Sequence, residues 1–96
     1  MAIQGFADAL VQEFFLTGRV AKGMGWSGIA KVALRKLDTL DYAHELSDLR
    51  SPPGNRLEAL KGDLKGLYSI RINDQWRVVF RWSEAGPLDV DIVDYH

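Results

Sequence analysis

The sequence predicts an α+β fold, with two N-terminal helices packed on one face of a mainly antiparallel sheet. Three observations predict it. Apolar residues fall at helical spacing in the first half of the chain and alternate with polar ones in the second half. Between the halves lies Ser51-Pro52-Pro53-Gly54-Asn55, the strongest structure breaker in the sequence. The length of 96 residues, 47% of them apolar and 26% charged, is that of one globular domain, 1–96, with a thin core.

Each element has its own signal. Ala2–Phe6 can form a short strand. Asp8 then caps a helix running to about Leu16, with Leu10, Val11, Phe14 and Phe15 as its apolar stripe and Gly18 as its stop. Arg19–Gly25 reads as a basic, mobile loop. Ser27 is expected to cap a second helix, ending near Leu40 or His44. Its stripe is Ala30, Ala33, Leu34, Leu37 and Leu40, with Lys31, Arg35 and Asp38 pointing away. Leu57–Lys61 is a candidate strand before Gly62-Asp63. Tyr68, Ile70 and Ile72 then alternate with Ser69 and Arg71 up to a turn at Asn73-Asp74. Trp76, Val78, Phe80 and Trp82 alternate with Arg77, Val79 and Arg81, and after Glu84-Ala85-Gly86-Pro87 the series Leu88, Val90, Ile92 does the same.

The two faces of such a sheet differ. Trp76, Val78, Phe80 and Trp82 need a covering layer, and the helices are the candidates. The opposite face, expected to be wet, carries Arg71, Arg77, Arg81, Asp89 and Asp91. Its arginines can pair across strands with the aspartates or form a cradle for phosphate, and both readings stand at this point.

Composition excludes several classes. With no cysteine there is no disulfide frame, thiol nucleophile or Cys-based zinc site, and a staple-free chain of this size points to the cytoplasm. Two histidines cannot build a multi-histidine metal centre, and no cofactor motif is present, so neither metal nor cofactor is expected. Charge-free runs are far shorter than the ~20 residues of a membrane span. Met1–Leu10 lacks a basic start and carries Asp8, unlike a secretory leader. Residues 56–82 hold six basic against three acidic side chains, whereas residues 83–96 hold four acids and no Lys or Arg. Any polyanion must therefore be held by a focused patch.

The second half is more specific than its periodicity. Arg56-Leu57-Glu58-Ala59-Leu60-Lys61-Gly62-Asp63, Leu67 through Phe80 with its Gln75-Trp76-Arg77 core, and the closing Ile92-Val93-Asp94-Tyr95-His96 resemble the HigB-type toxins of bacterial type II toxin–antitoxin systems. These plasmid-maintenance killer proteins belong to the RelE/ParE superfamily. Leu46–Asn55, with Leu49-Arg50-Ser51-Pro52-Pro53, is similar to the same family. The resemblance spans essentially the whole chain and implies a RelE-like, microbial-RNase-type fold. It also implies a bacterial cytoplasmic toxin that cuts mRNA in the ribosomal A site without a metal, and so stops translation. A helix-turn-helix antitoxin, HigA-like, would neutralise it, and the complex would repress its own operon. The expected partners are thus antitoxin, ribosome and mRNA, with DNA reached only through the antitoxin and no membrane.

Metal-free RNA cleavage needs a base for the 2′-hydroxyl, cations for the phosphorane and an acid for the leaving oxygen, and leaves a 2′,3′-cyclic phosphate. The resemblance places Arg77 as the main cation and Lys61 as a second. Glu58 is assigned as base and His96 as general acid, with the two roles interchangeable at the level of sequence. Tyr95 is assigned to stacking on a nucleobase or bonding a phosphate, Asp94 to orienting His96 or an arginine, and Arg71 and Arg81 to the RNA backbone. Glu58 and Lys61 stand three apart, so a bulge or strand end must intervene if both reach one site. Two alternatives stay open: a ParE-like inhibitor of DNA gyrase from the same superfamily that is no enzyme, against which Arg77 with Tyr95-His96 argues, and an inactive homologue acting only in operon control, which the histidine that some relatives carry in place of Glu58 keeps open.

Overall fold

The computed structural model describes residues 2–94. Helix α1 (Ala9–Thr17) begins where the Asp8 carboxylate accepts from Leu10 N at 2.7 Å, and ends at Gly18, which takes the left-handed conformation and donates to the Phe14 carbonyl. Val11 and Phe14 are buried, whereas Leu10, expected in the buried stripe, is 42% exposed; the docking face is narrower than the stripe. Ser27 is not the expected cap. It opens a single 3₁₀ turn, Ser27–Ile29, without a capping hydrogen bond, and helix α2 (Ala30–Tyr42) follows directly. Ala33, Leu37 and Leu40 are fully buried along α2, and Lys31, Arg35 and Asp38 are exposed. The Arg19–Gly25 loop is anchored at its end. Trp26 packs against Phe14 with ring centroids 4.6 Å apart, and a Cβ at Gly25 would lie 2.8 Å from the Trp76 ring.

The sheet is an antiparallel meander of β1 (Glu58–Ala59), β2 (Leu67–Arg71), β3 (Trp76–Ser83) and β4 (Gly86–Asp94), in that spatial order. The strand expected over Leu57–Lys61 is two residues long, because the chain turns at Gly62 (φ 65°) into a 3₁₀ turn, Gly62–Leu64. The N-terminal segment runs parallel to β4. Phe6 bridges Val90, Gln4 N donates to the Pro87 carbonyl, Ala7 N donates to the Val90 carbonyl, and Val90 N donates to the Gly5 carbonyl. This is the form taken by the short strand expected at Ala2–Phe6.

Pairing of β3 with β4 slips between Val79 and Arg81: Val79 faces Asp91 but Arg81 faces Leu88. Asp89, at φ 52°, is the residue that absorbs this bulge. The core lies between the helices and the sheet face of Ile70, Val78, Phe80 and Val90, all fully buried, with Leu49 joining Leu37 and Leu40. Trp76 and Trp82 are half-buried at its rim. Buried Asn55 pins the breaker segment: its amide donates to the carbonyls of Leu49 and Ser51, and its oxygen accepts from Lys36 Nζ at 2.6 Å. Partial burial, then the positive charges of Arg35 and Arg71, push the Lys36 amine below the usual lysine range. Among the described residues, no helix is long and apolar enough to cross a membrane.

Candidate active site

Strand register gathers the expected polar residues on the sheet face away from the helices. Glu58 lies opposite Ser69, Ser69 opposite Val79, Val79 opposite Asp91, and Arg71 opposite Arg77. That face is only in part the wet surface the alternation suggested: Arg81 and Asp89 are exposed, whereas its centre is closed. Arg77 is 5% exposed and Val79 7% exposed. The segment after β1 folds back so that Leu60 and Leu64 line a groove with Val79, and from the turn before β1 the Arg56 main chain lies against the Arg77 guanidinium.

A buried guanidinium must have its hydrogen-bonding groups satisfied, and Arg77 does. Its Nε donates to Ser69 Oγ at 2.8 Å, and its Nη2 to the Arg56 carbonyl at 2.5 Å and the Ser69 carbonyl at 3.4 Å. Its Nη1 faces Glu58 Oε1 at 3.7 Å, and this carboxylate is half-exposed. The Arg56 carbonyl reaches Arg77 because Arg56 itself takes the left-handed conformation, φ 45° and ψ 57°. Arg77 is thus fixed in place by β1, β2 and the turn before β1, with one edge turned toward a carboxylate that solvent can reach.

Lys61 is exposed just beyond the end of β1. It borders a hollow of about 350 Å³ together with Glu58, Leu60 and Leu64, so the strand end is what lets both residues line one depression. An adjoining groove of about 490 Å³ shares Leu60 and Leu64 and carries Arg81, Asp89, Asp91 and Asp94. Arg81 pairs with Asp89 across the strands at 3.4 Å, and Arg71 forms an ion pair with Asp74 in its own turn. Asp91 departs from the cross-strand pairing reading: its carboxylate accepts from Ile92 N at 2.8 Å. Burial raises its pKa above the usual aspartate range, outweighing that hydrogen bond. Asp94 accepts from Gln75 Nε2 at 3.0 Å. Tyr95 and His96 lie outside the described residues. Among the described residues, no group of three or more His, Asp or Glu is placed to hold a metal ion.

Two parts of this arrangement were not singled out from sequence. Ser69 had a visible signal, a small hydroxyl residue two positions from Arg71 in an otherwise apolar strand. The Arg56 carbonyl had none, because a backbone oxygen in a left-handed turn leaves no mark in residue type.

Comparison with known proteins gives the lineage. The family model described as RelE-like toxin of type II toxin-antitoxin system HigB matches residues 4–96. Toxin HigB-1 of Vibrio cholerae serotype O1 is 51% identical over 89 residues, covering 93% of this chain and 92% of that protein. Endoribonuclease HigB of Proteus vulgaris is 31% identical over 61 residues, covering 64% of this chain and 65% of that protein. A YoeB/ParE toxin from Agrobacterium tumefaciens aligns over the full length of both chains with a TM-score of 0.56 and 20% identity, which establishes the shared α+β fold. Two helices on an antiparallel sheet, a sequence match over nearly the whole chain and a close toxin relative agree, and the chain belongs to the HigB-like toxins of type II toxin–antitoxin systems, a family whose members act with an antitoxin partner.

Proposed function

We propose that this toxin is a ribosome-dependent mRNA endonuclease that cuts messages in the ribosomal A site. The observation that carries the reading is Arg77, a buried guanidinium locked by Ser69 and Arg56 with its Nη1 edge toward half-exposed Glu58. A relative named as an endoribonuclease supports the same chemistry.

Glu58 takes the proton of the ribose 2′-hydroxyl, and the 2′-oxygen attacks the adjacent phosphorus. As Glu58 turns to the hydroxyl, a phosphate oxygen takes its place at Nη1, so the buried cation exchanges one anion for another. Lys61, across the hollow, holds a second phosphate oxygen. His96 donates the proton to the departing 5′-oxygen, and Tyr95 supports a base or phosphate beside it. The products are a 2′,3′-cyclic phosphate and a free 5′-hydroxyl. Arg71 and Arg81 guide the flanking backbone, and Asp94 orients the terminal imidazole. A HigA-like helix-turn-helix antitoxin neutralises the toxin, and their complex represses the operon in the bacterial cytoplasm.

The test is to map mRNA 5′-ends after brief expression, for translated and untranslated versions of one message. Cuts confined to the translated message, absent for Arg77→Ala and for a chain lacking His96, are expected. Intact mRNA with stalled replication overturns the reading in favour of a gyrase inhibitor. Full growth arrest by both variants at matched expression removes the proposed catalytic set.

A further inference from the structure

On the other side of β1 the charges are arranged differently. Ala59, the neighbour of Glu58, faces a cleft of about 700 Å³ that is also lined by Arg50, Arg56, Ser47, Leu57 and Tyr68. No acidic residue lines it. Among the described residues neither the Arg50 nor the Arg56 side chain has a salt-bridge or hydrogen-bond partner. Solvated arginines are common on convex surfaces. Two of them in a concave, partly apolar cleft with an aromatic wall are a recognition surface, and its volume lies within the roughly 300–1,000 Å³ usual for ligand sites.

The chemistry of the lining points to a nucleotide. Paired guanidinium groups suit a phosphodiester, and Tyr68, stacked on Phe80 at 6.2 Å, offers a fixed ring against which a base can stack. The cleft is also tied to the site on the other face by a single residue. Arg56 lends its carbonyl to Arg77 and also lines the cleft. Between the two sites stands only a two-residue edge strand, a short path for a single-stranded chain to turn around.

We propose that the Arg50–Arg56 cleft is a second RNA subsite, holding the phosphate and base of a message nucleotide adjacent to the one that is cut. This rests on the endonuclease reading. An acidic segment of a protein partner would use the cations but has no need of the aromatic wall or of a residue shared with Arg77.

The experiment measures cleavage of message on programmed ribosomes as a function of toxin concentration. The variants are Arg50→Ala combined with Arg56→Asn, since asparagine tolerates the left-handed backbone that alanine does not, and separately Tyr68→Leu. Messages carry either a normal nucleotide or an abasic one on each side of the cut. The double variant is expected to need about tenfold more toxin for half-maximal cleavage. An abasic neighbour is expected to weaken cutting by the wild type by about tenfold, the worth of one stacked base, and to leave Tyr68→Leu unaffected. Wild-type behaviour of the double variant overturns the proposal. So does an equal penalty for all proteins on the abasic messages, which assigns the arginines to ribosomal RNA, or a loss confined to antitoxin binding. If the wild type itself cuts nothing, the endonuclease reading has failed and this subsite fails with it; wild-type cutting with an indifferent double variant sinks the subsite alone.

Discussion

The two sides of β1 hold arginines in opposite conditions. On the Glu58 side, Arg77 is buried and all three of its nitrogens meet protein oxygens. On the Ala59 side, Arg50 and Arg56 are exposed and face a cleft without an acid. A cation held by its own protein has a fixed position and a low cost of reorganisation, which suits stabilising a transition state. A cation held by nothing keeps its full attraction for a ligand, which suits binding. One short strand separates an arginine whose setting suits chemistry from two whose setting suits capture.

This contrast can be broken from its strongest side first. Arg77→Lys keeps the charge but cannot reproduce the fork that meets Ser69, Arg56 and Glu58 together, so the maximal cleavage rate on programmed ribosomes is expected to fall by roughly 10²-fold or more. Near-normal rates would show that charge alone suffices. Next, Ser69→Ala leaves Nε of Arg77 without its acceptor. As a positioning residue, Ser69 should affect the maximal rate, by about tenfold, more than the toxin concentration needed for half-maximal cutting. Ser69→Thr, which retains the hydroxyl on a side chain suited to a strand, should recover most of that loss; equal defects in both variants would mean a packing role only.

The smallest effect concerns stability. Asp91 has its pKa raised by burial, so its proton binds more readily in the folded protein than in the unfolded chain. Such a group opposes folding above the aspartate range, and the penalty fades as pH falls through it. Asp91→Asn keeps an oxygen for Ile92 N and should raise the melting temperature slightly at pH 7, with the gain vanishing below about pH 4. Asp48 provides the reverse sign: backbone N–H groups of Glu45 and His44 hold its carboxyl below the usual range, so its contribution is lost on acidification. A melting-temperature gain for Asp91→Asn that is constant with pH would place its origin elsewhere.

Much of the frame was legible in residue order. Asp8 and Gly18 delimit α1, and alternation sorted Tyr68–Arg71 and Trp76–Trp82 between the two faces. Burial was less legible, because it depends on what arrives from elsewhere. Alternation put Arg77 on the outer face but could not reveal that Arg56, twenty-one residues earlier, would cover it. For the same reason Leu57–Lys61 read as a strand: its residue types suit one, and the turn that cuts it short depends on Gly62 at positive φ. The cleft beside Tyr68 depends on Asn55 holding the breaker against α2, a contact that composition does not record.

The parallel seam between the N-terminal segment and β4 has a further consequence. A sheet invites growth at its margins, where unpaired amides and carbonyls can recruit a foreign chain. Here one margin is occupied by the protein's own opening residues over Gln4–Ala7, and the other, β1, is two residues long. A protein that extended the meander along the Gln4–Ala7 side would first have to peel away that seam, and on the other side it would find only the two residues of β1 to pair with.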